Sequence, residues 1–167
     1  MNNVKVLSDE IVDQQTSQER FLEILLKNRG LDKNFLEKID VKDIRPTDFG
    51  IKQKDFDKAI DLIKESIKKQ EKIIIYGDYD VDGITATRMA YDCLHYLNPT
   101  QQLEIVLPKR EDGYGFTKAS VVKVEEFQPD FLLVFDCGSN DVPLYEYARQ
   151  HPEITIVVFD HHIEQHN

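Results

Sequence analysis

The chain of 167 residues carries 21 Lys+Arg against 31 Asp+Glu, a formal charge of −10 and a pI near 4.9, which argues against a generally basic, histone-like nucleic-acid binder. At 41% apolar and 31% charged, with a mean hydropathy of −0.46, it reads as a soluble globular chain: one compact domain with an appendage. No apolar run nears the roughly 20 residues of a membrane span, the start lacks the pattern of a signal peptide, and Cys93 and Cys137 are too few for a disulfide framework, so a cytoplasmic protein with no membrane partner is expected.

The charge is unevenly placed. Residues 1–72 hold 15 basic and 15 acidic residues, so the 6 basic and 16 acidic residues of 73–167 carry the whole excess. The first part reads as a helical N-terminal arm, 1–72. Phe21, Ile24, Leu25 and Leu31 give an apolar stripe before and across an Asn28-Arg29-Gly30 stop, and Asp32 has the character of an N-cap for a short helix through Leu36 and Ile39. Arg45-Pro46 and Phe49-Gly50 mark a connector. From Asp55 onward Phe56, Ile60, Ile63 and Ile67 recur at helical spacing, with Lys64, Lys68 and Lys69 on a basic outer face that reads first as solvated surface.

From residue 73 the period changes. The apolar runs 73–76, 103–107, 131–135 and 154–159 read as buried strands, separated by helical stretches over 84–97, 118–127 and 142–151. This alternation predicts an α/β domain, a parallel sheet flanked by helices, over 73–167.

Three of the four strands run into acid: Tyr76-Gly77 into Asp78, Asp80 and Asp82, Phe135 into Asp136, and Phe159 into Asp160, His161 and His162. In open α/β sheets ligands bind beyond the carboxyl ends of the strands, so five carboxylates and two imidazoles are expected in one crevice. Carboxylates crowded in a cleft raise one another's pKa, and divalent cations remove that cost. Carboxylate oxygens with one or two imidazoles suit Mn²⁺ or Mg²⁺, and two such ions about 4 Å apart serve hydrolysis at phosphorus. Five of the seven glycines, Gly77, Gly83, Gly113, Gly115 and Gly138, lie beside these strand ends or in the 109–116 loop. In that loop Arg110 is suited to clamp a phosphate and Tyr114 to stack on a base.

A lone aspartate after a strand is usually a turn or cap residue, and that reading would win for any one of Asp78, Asp136 or Asp160; it loses to the set. His95, His151 and His166 are expected to do no chemistry, Arg110 is as readily an ion-pair partner of Glu111 or Asp112, and Cys137 is a small packing residue.

The segments Asp78-Tyr79-Asp80-Val81-Asp82-Gly83-Ile84-Thr85-Ala86-Thr87, Val134-Phe135-Asp136-Cys137-Gly138-Ser139 and Asp160-His161-His162 resemble the first three motifs, in order, of the DHH phosphoesterase superfamily. The extended first motif and the Gly113-Tyr114-Gly115 loop resemble RecJ-type single-strand-DNA exonucleases, with the likeness covering 19–167. The resemblance implies a two-metal 5′→3′ exonuclease on single-stranded DNA in repair or recombination, using two Mn²⁺ or Mg²⁺ ions. By motif, Asp80 and Asp82 would each bind a metal, Asp136 would bridge them and His161 would ligate. His162 would face the scissile phosphate, and Asp78 and Asp160 would orient the ligands or ligate weakly. His162, Asp136 and Asp78 are thus the expected catalytic groups, with Arg110, Tyr114 and Ser139 at the substrate.

Two departures stand out. Tyr76 occupies a position where many superfamily members have histidine, and the fourth motif and C-terminal substrate-binding domain do not appear within the sequence. The alternatives are a phosphodiesterase for short oligonucleotides or cyclic dinucleotides, and a catalytically silent derivative that binds DNA or a protein partner, including the remainder of a longer nuclease chain.

Overall fold

A computed structural model of the chain describes residues 17–28, 30 and 44–163. It forms two compact units, Met1–Gln53 and Lys54–Asn167. In the first, helix α1 spans Gln18–Asn28, and Gly30 follows at φ 68 with its N–H on the Lys27 carbonyl, the left-handed stop expected of the Asn28-Arg29-Gly30 sequence. Of the expected stripe Ile24 is buried with Leu26, Leu25 is half-buried and Phe21 is exposed. The connector is a 3-10 turn over Pro46–Phe49 closed by Gly50 at φ 77. The short helix expected from Asp32 through Leu36 and Ile39, Leu31, and His166 lie outside the described residues.

The second unit holds α2 (Gln53–Lys69) from Lys54 onward and continues β1 (Ile73–Gly77), α3 (Val81–Leu97), β2 (Leu103–Val106), α4 (Lys118–Phe127), β3 (Phe131–Phe135), α5 (Val142–Gln150) and β4 (Thr155–Phe159). The four strands form one parallel sheet in the order β2-β1-β3-β4. Every residue of β1 is buried, which is why its sequence is continuously apolar rather than alternating: helices cover both faces. On one face Ile73, Ile75, Phe131, Leu133 and Val157 meet Leu94 of α3 and Ala59, Leu62, Ile63 and Ile67 of α2. The opposite face presents Ile74, Tyr76, Leu132 and Val134 to Val124 of α4 and to Leu144 and Tyr147 of α5. The basic helix α2 therefore packs on the sheet and turns Lys64, Lys68 and Lys69 to solvent, where Lys69 pairs with Glu65 at 2.8 Å.

Strand order and register place the acidic residues. From β1 the chain crosses to β2 on one side and then to β3 on the other, so the order reverses between β1 and β3, where open α/β sheets leave a crevice at their carboxyl ends. Gly77 is level with Phe135, and Phe135 with Phe159. Asp78, Asp136 and Asp160, the next residues, thus leave the sheet from adjacent strands spaced about 5 Å apart. No helix among the described residues is long and apolar enough to cross a membrane.

Candidate metal centre

The turn from β1 into α3 is built by glycines. A Cβ on Gly83 would run into the Asp78 backbone, and one on Gly77 would meet the Gly83 carbonyl at 2.8 Å, so the first helical turn sits against the strand end as only bare backbone allows. Helix α3 starts at Val81, three residues before the expected Ile84, because Asp80 is its N-cap: Asp80 Oδ1 accepts from the amides of Asp82 and Gly83 at 3.0 and 3.1 Å. The Gly83 amide leads the effects holding the Asp80 carboxyl below its ordinary pKa. Asp78 is only 2% exposed, and its Oδ1 is buried without a hydrogen-bond partner.

Asp136 leaves β3 in the left-handed region, φ 60, a conformation aspartate tolerates better than most residues. Its carboxyl is buried and interacts directly with that of Asp80. Burial, followed by the charge of Asp80, pushes the Asp136 pKa up, and His161 works against that. His161 Nε2 lies 2.9 Å from Asp136 Oδ1 although most of the ring is exposed. Asp160 is held by Ser139, whose amide and hydroxyl donate to Oδ2 at 3.0 and 2.5 Å, and by His162, whose Nδ1 is 2.6 Å from Oδ1. Burial works to raise the Asp160 pKa, but these hydrogen bonds outweigh it and hold the carboxyl well below the usual range. The bond to Asp160 in turn raises the pKa of His162.

Asp136, His161 and His162 each offer a ligand atom, all within 4.8 Å of one another. Two crowded carboxyls, one of them resisting ionisation, an orphaned buried Asp78 oxygen and two imidazoles make a donor set that fits a divalent cation with a preference for oxygen and nitrogen.

The structure brings Asp78, Asp80, Asp136, Asp160, His161 and His162 to the carboxyl edge of the sheet, with the Tyr114 hydroxyl 3.2 Å from His162 Nδ1. Asp82 lies exposed in the first turn of α3 and acts there through its backbone amide on Asp80; among the described residues its carboxyl makes no hydrogen bond or ion pair. The Arg110 guanidinium stacks over the Tyr79 ring, 4.9 Å from its centroid, and so stands beside the β1–α3 loop rather than paired with Glu111 or Asp112. Ser139 donates its hydroxyl to Asp160. His95 and His151 stack on Tyr91 and Tyr147 away from the cluster, and Cys137 is a core residue whose thiol pKa is raised by burial.

Tyr76 does not face the cluster as a ligand. Its hydroxyl donates to the Gly115 carbonyl at 2.6 Å and meets Ser120 Oγ at 3.0 Å, fixing the 109–116 loop to the sheet. Asp141 belongs to none of the sequence motifs: it caps α5 through the Leu144 amide and also accepts from the Phe116 amide, clamping the same loop. Its local signal is an aspartate three residues before a buried leucine with proline between.

The family described as "DHH family, N-terminal domain" matches residues 72–167, and the chain belongs to it. Within that family it is similar to single-stranded-DNA-specific exonucleases named RecJ. The Bacillus subtilis protein is 33% identical over 105 residues, 62% of this chain and 13% of its own length, and the Thermus thermophilus protein is 33% identical over 106 residues, 62% and 15%. A crystal structure of exonuclease RecJ bound to manganese superposes with a TM-score of 0.59 at 28% identity, over 66% of this chain and 28% of that one. The crystal structure of Thermus thermophilus RecJ in complex with Mn²⁺ shares the fold with a TM-score of 0.55 at 24% identity, over 68% of this chain and 16% of that one. The chain thus spans 13–19% of the length of the curated relatives it matches.

Proposed function

We propose that the chain supplies the amino-terminal portion of a metal-dependent phosphodiesterase site acting on single-stranded DNA as a 5′→3′ exonuclease, a hydrolase of DNA repair or recombination. The observation that carries this reading is the convergence of Asp80, Asp136, His161 and His162 at the strand-order reversal of a DHH fold.

In this reading Asp80, Asp136 and His161 hold a first Mn²⁺ or Mg²⁺, Asp136 and Asp82 contribute to a second, and the buried Asp78 supports them. Bound divalent ions would lower the pKa of a water and neutralise charge at the scissile phosphate. The protein's own groups do the rest. Asp160 orients His162, which faces the phosphate, as second carboxylates do for metal-site histidines. Ser139 keeps Asp160 in place, and Arg110 offers a guanidinium to a substrate phosphate with the exposed Tyr114 ring beside it.

The test is cleavage of a 5′-phosphorylated single strand by the purified chain with Mn²⁺, with chelator as control. Asp80→Ala and Asp136→Ala should abolish it. Cleavage that survives both substitutions would sink the site, and preference for dinucleotides over long strands would move the reading to a short-oligonucleotide phosphodiesterase.

A further inference from the structure

We infer that Tyr114 is a positioning residue, whose hydroxyl holds the His162 ring and the Asp136 backbone in one frame. The inference rests on the reading of His162 as the phosphate-facing group, and it gives Tyr114 a part separate from contact with a base.

The Tyr114 ring is 54% exposed, so burial does little to order it. The hydroxyl turns inward nonetheless. Its single proton goes to the Asp136 carbonyl at 3.2 Å, which leaves its lone pairs toward the His162 ring, 3.2 Å from Nδ1 and 3.5 Å from Nε2. The two rings meet edge to face with centroids 5.7 Å apart. Because Nδ1 is also 2.6 Å from the Asp160 carboxylate, an N–H on that atom lies between two acceptors and Nε2 keeps its lone pair. The second-partner logic of metal and catalytic histidines is thus met, with a tyrosine added to the carboxylate. Asp160 alone gives the ring a pivot; Tyr114 gives it a second point of support.

Asp136 gains equally. A non-glycine residue at φ 60 persists when its surroundings over-determine it. Here the Asp136 N–H donates to the Phe159 carbonyl at 2.9 Å and its C=O accepts from Tyr114, so both backbone groups are pinned. Tyr114 is itself anchored through its neighbours: Gly115 by Tyr76 of β1, and Phe116 by Asp141 at the start of α5. A side chain that only stacks on a base has no need of contacts spanning 22 and 48 residues in sequence.

Tyr114→Phe removes the hydroxyl and keeps the ring. In ¹⁵N-labelled protein held at a pH where His162 is neutral, two-bond imidazole spectra should show His162, identified by its loss in His162→Gln, as a single Nδ1–H tautomer in the wild type. In Tyr114→Phe it should become a mixture or an exchange-broadened signal, with His95 and His151 unchanged. In Mn²⁺-dependent cleavage kcat should fall roughly tenfold or more with KM within about twofold, in the range seen when the outer partners of site histidines are removed. An unaltered His162 spectrum in Tyr114→Phe overturns the inference, as does a rise in KM at constant kcat. A wild-type chain without cleavage would count against the proposed function, while the spectra would still decide the role of Tyr114.

Discussion

Replacing Gly83 by alanine sets two opposed effects against each other. Within a helix, alanine is favoured over glycine by about 1 kcal/mol, and Gly83 lies in the first turn of α3. The added Cβ, however, would stand 2.8 Å from the Asp78 carbonyl carbon and closer still to its nitrogen and oxygen. Ordinary carbon contacts begin near 3.5 Å, so the helix start must retreat from the strand by about 1 Å, and no rotamer can relieve a collision between backbones. Such overpacking costs about 1–3 kcal/mol. The retreat also stretches the hydrogen bonds at 3.0 and 3.1 Å by which Asp80 caps the helix, worth about 1 kcal/mol more. Collision outweighs propensity, and Gly83→Ala should destabilise the sheet unit by about 1–3 kcal/mol. Urea unfolding followed by circular dichroism reads this directly, since about 2 kcal/mol moves the midpoint by roughly 1 M at a typical m-value. A variant as stable as the parent, or more so, would refute the argument.

The remaining predictions concern the carboxylates, the histidine and the arginine. Because Asp80 and burial hold the Asp136 pKa up, and because asparagine also accepts a left-handed backbone, metal-free Asp136→Asn should melt higher than wild type; Mn²⁺, which should stabilise the wild type by about 2.7 kcal/mol at roughly one hundred times its Kd, should no longer raise that temperature. His162 should titrate above the ordinary histidine value, followed by proton NMR, and should fall back toward it in Asp160→Asn. Its folded-state pKa is raised, so the stability it contributes is fully present below the unfolded value near 6.5 and is lost as pH rises through the folded one. Arg110→Ala should weaken single-strand binding and reduce the slope of log affinity against log salt by about one phosphate contact; an unchanged slope would remove Arg110 from the strand's path.

What can be read in the chain and what cannot divides along sequence distance. The strands are legible because β1 and β3 are covered on both faces, and a run such as Ile73-Ile74-Ile75-Tyr76 has no other use. Asp78, Asp136 and Asp160 are legible as a set because each follows a strand directly, and parallel register brings strand ends level. The apolar pattern starts helix α3 three residues late and so conceals the part of Asp80 as its cap. Hidden altogether are the bonds closing over long separations, Tyr76 to Gly115, Phe116 to Asp141, and Tyr114 to Asp136 and His162. A side chain's type states what it can donate or accept, whereas its partner across 22 to 48 residues is settled only by the packed fold.

Among the described residues strand β4 forms one edge of the sheet. Among the described residues it pairs with β3 alone, and its sequence, Thr155-Ile156-Val157-Val158-Phe159, is β-branched and aromatic without charge or proline, with Val158 38% exposed. An edge of that composition is a template for another strand, and when two copies meet it favours their self-association. Glu153 stands before it as a charged gatekeeper, while the Asp160 carboxyl is buried against Ser139 and His162. Solutions of this chain should accordingly be kept dilute, because self-association through that edge rises with concentration.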